Sequence, residues 1–274
     1  MSEIVKVIKP KRRMFDIGIK EIWDYRELLY FLAWKQIKIR YKQTALGAAW
    51  AILQPLLTMV IFSIIFGELL GVASDGVPYP IFAYSGLIIW SYFSVSLTQA
   101  STSLVSNSNL VSKVYFPRLL LPMSACLAGL LDYAIASIVL VGLMFYFNVF
   151  CTAWVILLPA LVLMSMLLAS GISFWLSAIS VKYRDVQYAI PFFVQILLYA
   201  TPIIYPVSII SGKYSWLLNL NPLTGIVTVH RAILLGSTTL NWAPLGISAI
   251  LIVLIFLWGL VYFKNYEREF ADVI

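Results

Sequence analysis

The sequence predicts an all-α integral membrane protein, and three observations carry that prediction. Six stretches are long and apolar enough to cross a bilayer, only 11% of the 274 residues are charged while 62% are hydrophobic, and a basic amphipathic segment runs without a spacer into the first apolar stretch. Soluble domains carry about 25% charged residues, and a mean hydropathy of +0.92 takes this chain far from them. The expected architecture is six transmembrane helices, an N-terminal amphipathic interface helix, and re-entrant helices between spans five and six. Its parts are a cytoplasmic segment over 1–25, the interface helix over 26–47, a six-span domain over 48–263 and a cytoplasmic tail over 264–274.

Residues 1–25 are polar and charged, with neither an apolar core nor a small-residue cleavage pattern. The first span is therefore expected to target the chain to the membrane. Over 26–47 the sequence has helical periodicity: Tyr30, Trp34, Ile37 and Tyr41 fall on one stripe, and Lys35, Lys38 and Lys42 on another about a quarter turn away. Leu28, Leu32 and Ile39 form a second apolar band beyond the lysines. Two apolar bands suit a helix with lipid on one side and protein on the other; a basic segment that only obeys the positive-inside rule and attracts anionic lipid is the simpler alternative.

The first span runs over 48–70, and its 23 residues reach roughly 34 Å, enough for a hydrocarbon core of about 30 Å. Gly67 and Gly71 at its end have the spacing of a close-packing pair. Residues 74–80 signal a tight turn, and the second span follows over 81–105, its latter half rich in Ser and Thr. A polar connection, SNSNLVSKVYFPR, leads to the third span over 119–147. The fourth covers 153–180, where Ser165, Ala169, Ser173 and Ser177 recur every four residues as a small face for helix packing. After the charged loop VKYRDVQ, the fifth span is expected over 189–210, kinked or interrupted by Pro191, Pro202 and Pro206. The sixth covers 243–263. Between the last two, residues 217–236 are apolar but broken by Asn221-Pro222 and Gly225, too short to cross, and read either as re-entrant helices that gate a pathway or as a hairpin resting on the outer surface.

Charge fixes the expected orientation. Eleven of the 19 lysines and arginines precede Ala48, and the loops after spans two and four and the tail hold two each. Only Lys213 and Arg231 fall on the other side, which places both termini in the cytoplasm. The net charge of +7 does not indicate nucleic acid, because the basic residues are mixed with acids and border a membrane span. Cys126 and Cys151 make neither a disulfide framework nor a metal site.

Candidate functional groups are sparse. Asp132 is the one carboxylate deep in an apolar run, where a charge costs about 2.5 to 3.5 kcal/mol on insertion scales. It is expected to face protein, in a helix-to-helix hydrogen bond. Broken membrane helices tend to line cavities, so Gln195, Tyr199, Thr201 and Tyr205 offer polar groups to a passing substrate, although tyrosines near the outer end also serve as interfacial anchors. His230 has no carboxylate near it in sequence and reads as structural. The sequence carries no phosphate-binding loop, HExxH, nucleophile elbow or paired carboxylates. A transporter of this kind needs a partner to supply energy.

Several motifs together resemble a known family. Arg40-Tyr41-Lys42-Gln43-Thr44, Leu46-Gly47, Trp50 and Gln54-Pro55 look like the opening signature of the membrane subunits of polysaccharide-exporting ATP-binding-cassette transporters, the type-2 permeases that handle O-antigen and teichoic acid. Tyr79-Pro80, Phe82, Gly86, Trp90, Asn109-Leu110, Lys113-Val114-Tyr115-Phe116-Pro117-Arg118, Leu121-Pro122, Tyr183-Arg184-Asp185-Val186, Thr201-Pro202-Ile203, Tyr205-Pro206, Asn221-Pro222 and Arg231 follow in the family's order.

The resemblance implies a homodimer of six-span permease subunits above two copies of a separate ATPase, which binds ATP and Mg; this chain needs no cofactor or metal and is not an enzyme. It implies a coupling helix around 107–117, with Asn107, Asn109, Lys113, Tyr115, Phe116 and Pro117 meeting the ATPase, and a second contact at Lys182, Arg184 and Asp185. Trp34, Lys35, Lys38, Arg40, Tyr41 and Lys42 belong to the interface helix near the same docking zone. Trp50 and Gln54 join Gln195, Tyr199 and Tyr205 as candidates for the translocation path, and Asn221, Pro222 and Arg231 for an outer gate. The implied cargo is a polymer on undecaprenyl diphosphate, moved from the cytoplasm across the bacterial inner membrane. Export of a drug or small lipid, or an enzyme acting on lipid-linked sugars, are the alternatives, the enzyme opposed by the lack of an acid–base cluster.

Overall fold

The computed structural model describes residues 19–42, 49–210, 215–237, 240–267 and 270, and among these every regular element is a helix. The expected segment 1–25 is therefore described only from residue 19, the interface helix only to Lys42, and the motif residues Gln43, Thr44, Leu46 and Gly47 lie outside the described residues.

A short helix α1 (Ile19–Asp24) leads into α2 (Arg26–Lys42). The first apolar stretch is α3 (Ala49–Phe62), prolonged by a π-helical segment over Ser63–Leu69. Gly67 and Gly71 do not form a packing pair. The Tyr79 ring covers Gly67, whereas Gly71 has φ +61° with nothing near it and ends the helix. The chain then turns through Ser74-Asp75-Gly76-Val77, closed by the Val77 N–H on the Ser74 carbonyl. Positive φ at both central residues, 52° and 83°, marks a type I′ turn, which needs Gly or Asp there.

Helix α4 (Tyr79–Ser106) is the centre of the molecule. It packs against α3, α6 (Leu120–Phe147), α7 (Leu158–Lys182), α8 (Val186–Ala200) and α10 (Pro222–Leu234), and 78% of its apolar window is buried against 11% for the first stretch. Several of its Ser and Thr residues satisfy their hydroxyls within the helix itself. Ser85, Ser94, Thr98, Thr102 and Ser103 each donate to a carbonyl three or four residues back on α4 itself, so their hydroxyls need no other partner. α5 (Ser108–Lys113) is the short helix of the connection that follows.

The fourth stretch opens with a 3₁₀ turn over Ala153–Leu157 and continues as α7. α7 stands between α4 and the last long helix, α11 (Trp242–Tyr266). Ser165, Ala169, Ser173 and Ser177 are all buried. The closest approach lies elsewhere on α7, where a Cβ on Gly171 would sit 2.6 Å from the Phe256 Cα. Glycine there lets α7 and α11 touch backbone to backbone.

Among the described residues, five helical stretches are long and apolar enough to cross a membrane. The fifth stretch of the sequence is the exception. α8 has only 15 residues, about 22 Å at the helical rise of 1.5 Å per residue. It runs through Pro191 and stops at Ala200, so the interruption falls at Thr201-Pro202. The chain between the last two stretches forms α9 (Ser215–Leu220) and α10.

Candidate translocation and docking sites

α2 advances along α6 in the same direction. Gln36 Nε2 donates to Ser124 Oγ at 2.8 Å, and one turn further on Arg40 donates to the Asp132 carboxylate and to the Gln99 side-chain oxygen. Tyr41 donates its hydroxyl to the other oxygen of Asp132. The expected helix-to-helix bond of Asp132 is thus made to the end of the interface helix. A carboxylate in an apolar run is tolerable once it accepts from a cation and a phenol together.

This packing shows which face of α2 meets protein. Leu32 and Ala33 are buried, while Tyr30, Phe31, Trp34 and Ile39 are exposed. The stripe Tyr30–Trp34–Ile37–Tyr41 therefore splits, its first half facing outward and its second half partly inward. Lys35, Lys38 and Lys42 are exposed beside the outward aromatics, with Lys38 Nζ 6.0 Å from the Trp34 ring centre.

The Arg40–Asp132 pair forms one wall of a cavity of about 590 Å³ between α2, α3, α4 and α6. Trp50, Gln54 and Pro55 of α3, Ser91, Tyr92 and Gln99 of α4, and Tyr133 of α6 complete it. Aromatic faces beside planar amide, carboxylate and guanidinium groups suit a molecule that presents hydroxyls at its edges and C–H bonds on its faces. Two sets of residues that the sequence assigned to different roles, Arg40 and Tyr41 on one hand and Trp50 and Gln54 on the other, line this one space. Gln195 and Tyr199 do not join them. They lie on the exposed face of α8, and Tyr205 donates back to the Tyr199 carbonyl at 3.1 Å.

At the opposite end of α4 the interruption after α8 is held from several sides. Asn221 Nδ2 donates to the Ala200 carbonyl at 3.2 Å and to Thr201 Oγ1 at 2.9 Å. Arg231 donates Nη1 to the Pro202 carbonyl at 3.0 Å and Nη2 to the Ile203 carbonyl at 2.9 Å, and the Tyr79 hydroxyl donates to Ile204 at 2.7 Å. Carbonyls released where the helix stops are thus satisfied by side chains, the condition for irregular backbone inside a membrane protein. Gly86 makes room for this: a Cβ there would meet Arg231 Nη2 at 2.5 Å. The guanidinium also lies 3.8 Å from the Phe82 ring centre. Asn221 caps α10 through the Leu223 N–H, with Pro222 in the first turn. His230 is buried and paired with the Tyr133 hydroxyl at 2.9 Å.

The α5 connection is anchored by its own apolar residues. Phe116 and Pro117 are buried, Phe116 among Leu32, Leu104, Leu119 and Phe263, so of the six residues assigned to a docking contact these two seat the connection and do not present a surface. Asn107 turns its amide to the Ser103 carbonyl at 2.8 Å. Asn109, Lys113 and Tyr115 are exposed, as are Lys182, Arg184 and Asp185. Tyr115 donates to Glu21 of α1 at 3.3 Å; partial burial first and the Glu21 carboxylate next raise the phenol pKa. The tail, which hydropathy alone leaves as a charged end, is tied to the same connection. Glu267 accepts from the Arg118 backbone N–H at 3.1 Å and from Lys264 at 2.7 Å, and Phe270 is buried against Phe263.

Several membrane-length helices around a polar, aromatic-lined space make the chain a multi-pass membrane protein. Residues 27–235 match the family described as ABC-2 type transporter, and the chain belongs to that family. It is similar to the O-antigen export system permease protein RfbA of Myxococcus xanthus, 29% identical over 93% of this chain and 98% of that one. Similarity extends to RfbA of Klebsiella pneumoniae, 27% identical over 90% and 95%, and to the polysialic acid transport protein KpsM of Escherichia coli, 24% identical over 85% and 91%. The chain is a non-catalytic transmembrane subunit.

Proposed function

We propose that the chain is the transmembrane subunit of an ATP-binding-cassette exporter of polysaccharide, working with a separate ATPase that binds ATP and Mg. The observation that carries this reading is the cavity beneath Arg40 and Asp132, where Trp50, Tyr92 and Tyr133 stand beside Gln54 and Gln99 within the apolar part of the molecule. Each unpaired hydroxyl costs several kcal/mol in hydrocarbon, so a glycan needs a polar, protein-walled path. The similarity to O-antigen and polysialic acid permeases over most of both chains supports the same class of cargo.

The finer reading is a homodimer of six-span subunits in a bacterial inner membrane, with both termini in the cytoplasm and an undecaprenyl-diphosphate-linked glycan as cargo. The poorly covered face of α3 and the exposed aromatics of α8, Phe192, Phe193 and Tyr199, are the surfaces a second copy would cover. Closure of the ATPase pushes on Lys113, Tyr115 and the 182–185 loop. That push moves α4 and α6, and the Asn221–Arg231 contacts release the interruption after α8 as the outer gate.

The experiment is depletion of the chain followed by fractionation of lipid-linked glycan. Accumulation inside the cytoplasmic membrane with loss of surface polymer is the expected result. Unchanged surface polymer in a cell with no second exporter overturns the cargo and leaves drug or lipid export as the reading.

A further inference from the structure

Few charges lie within the apolar depth of the molecule, and those few are already committed. We propose that the exported polymer has an uncharged repeating unit, built of sugars without carboxylate, phosphate, sulfate or free amine; the proposal rests on the exporter reading.

The cavity between α2, α3, α4 and α6 is lined by one cation and one anion, Arg40 and Asp132, and they are paired with each other. Gln99 takes a further bond from Arg40, and Tyr41 donates to the second oxygen of Asp132. An anionic repeat that engages Arg40 draws it off Asp132 and leaves that carboxylate uncompensated; a cationic repeat does the same to Arg40. The deeper phenols are also taken, Tyr92 donating to the Cys126 carbonyl at 3.3 Å and Tyr133 pairing with His230. What the walls present to a ligand is therefore neutral: the rings of Tyr92 and Tyr133, the Gln54 amide and the Ser91 hydroxyl. Uncharged sugars need only such groups.

The rest of the course offers no counter-charge either. About 20 residues of α4, roughly 30 Å, separate Gln99 from Tyr79, the thickness of a hydrocarbon core. Over that depth α3, α4 and α8 contain no charged residue. Arg231 is the other lysine or arginine there among the described residues, and its terminal nitrogens hold the Pro202 and Ile203 carbonyls. Beyond it, the exposed charged groups among the described residues at the Tyr79 end, Glu68 and Asp75, are both carboxylates. A polyanion thus finds no partner past the lysines of α2 and meets like charge where it emerges. The diphosphate of the proposed carrier meets this course once per chain, whereas a charge in the repeat meets it with every unit.

The test uses the full chain with its ATPase in cells. Lipid-linked glycan that accumulates on depletion is released by mild acid, passed over an anion exchanger, and assayed for acidic sugars, phosphate, sulfate and free amine. The expected result is a polymer that does not bind and a repeat with none of these groups. Gln54 lines the cavity and is exposed, so Gln54→Lys and Gln54→Glu add opposite charges beside the passing chain. Surface polymer, per amount of subunit in the membrane, should differ between the two by less than about threefold, whereas a charged repeat some 8 Å away separates them by roughly tenfold or more at an effective dielectric of about 20. A charged repeat, or a separation beyond that threefold margin, overturns the inference and leaves the exporter reading intact. If either variant fails to insert, the composition of the repeat decides alone. If no glycan accumulates on depletion, the exporter reading falls, and this inference with it.

Discussion

Asp132 and Arg40 are 92 residues apart in sequence and meet in one ion pair, each side chain about a fifth exposed. Removing the carboxylate leaves a guanidinium at membrane depth without its counter-charge. Asp132→Ala should therefore lower stability by about 2 to 3 kcal/mol, somewhat under the loss for breaking a fully buried pair. Thermal unfolding of the detergent-purified protein measures this, and the double variant Arg40→Met/Asp132→Leu should recover most of it. The demand for a partner was legible in the sequence, because a lone carboxylate in an apolar run has to be satisfied. The identity of the partner was not, since hydropathy holds no information on which side chain 92 residues away is brought near. The same limit hid the duty of Arg231. Its place among outer-gate candidates came from resemblance, and only packing shows its guanidinium bonded to two backbone carbonyls.

The long helices were legible because each must carry about 20 apolar residues to cross, a signal that survives without tertiary context. Their ends agree with the expected spans to within a few residues. α8 shows where that signal fails. Three prolines announced an interruption, but each lacks an N–H equally, and the site of the break depends on where side chains wait to receive the freed carbonyls. Asn221 and Arg231 wait beyond Ala200, so the helix passes Pro191 and stops there. Asn221→Ala removes the bonds to Ala200 and Thr201 and the cap of α10, and should lower stability by about 1 to 2 kcal/mol in a thermal-shift measurement. α2 was left open for a different reason. Both of its sides are apolar, so periodicity alone could not say that Leu32 and Ala33 face protein while Tyr30 and Trp34 face out. The crossing of α7 and α11 carries a third expectation. Gly171→Leu drives a side chain into the Phe256 backbone, and should abolish the monodisperse peak in size-exclusion chromatography, whereas Ile172→Leu should not.

For the whole molecule, the proposed division between an end for the ATPase and an end for cargo release rests on α4, whose 28 residues join the two. Lys113→Glu and Arg184→Glu change exposed side chains only, so the purified subunit should keep its thermal stability while co-purification of the ATPase falls several-fold. Retained assembly in both variants would move the docking surface elsewhere. The tail gives this arrangement an order in time. Glu267 and Phe270 follow the last span, yet they brace Arg118 and the cluster beneath the α5 connection. During synthesis the α5 connection therefore stays unbraced until α11 and the residues after it have been made, and if the proposed docking surface is right, an ATPase that recognises the braced connection is expected to bind ribosome-released chains and not nascent chains stalled before α11.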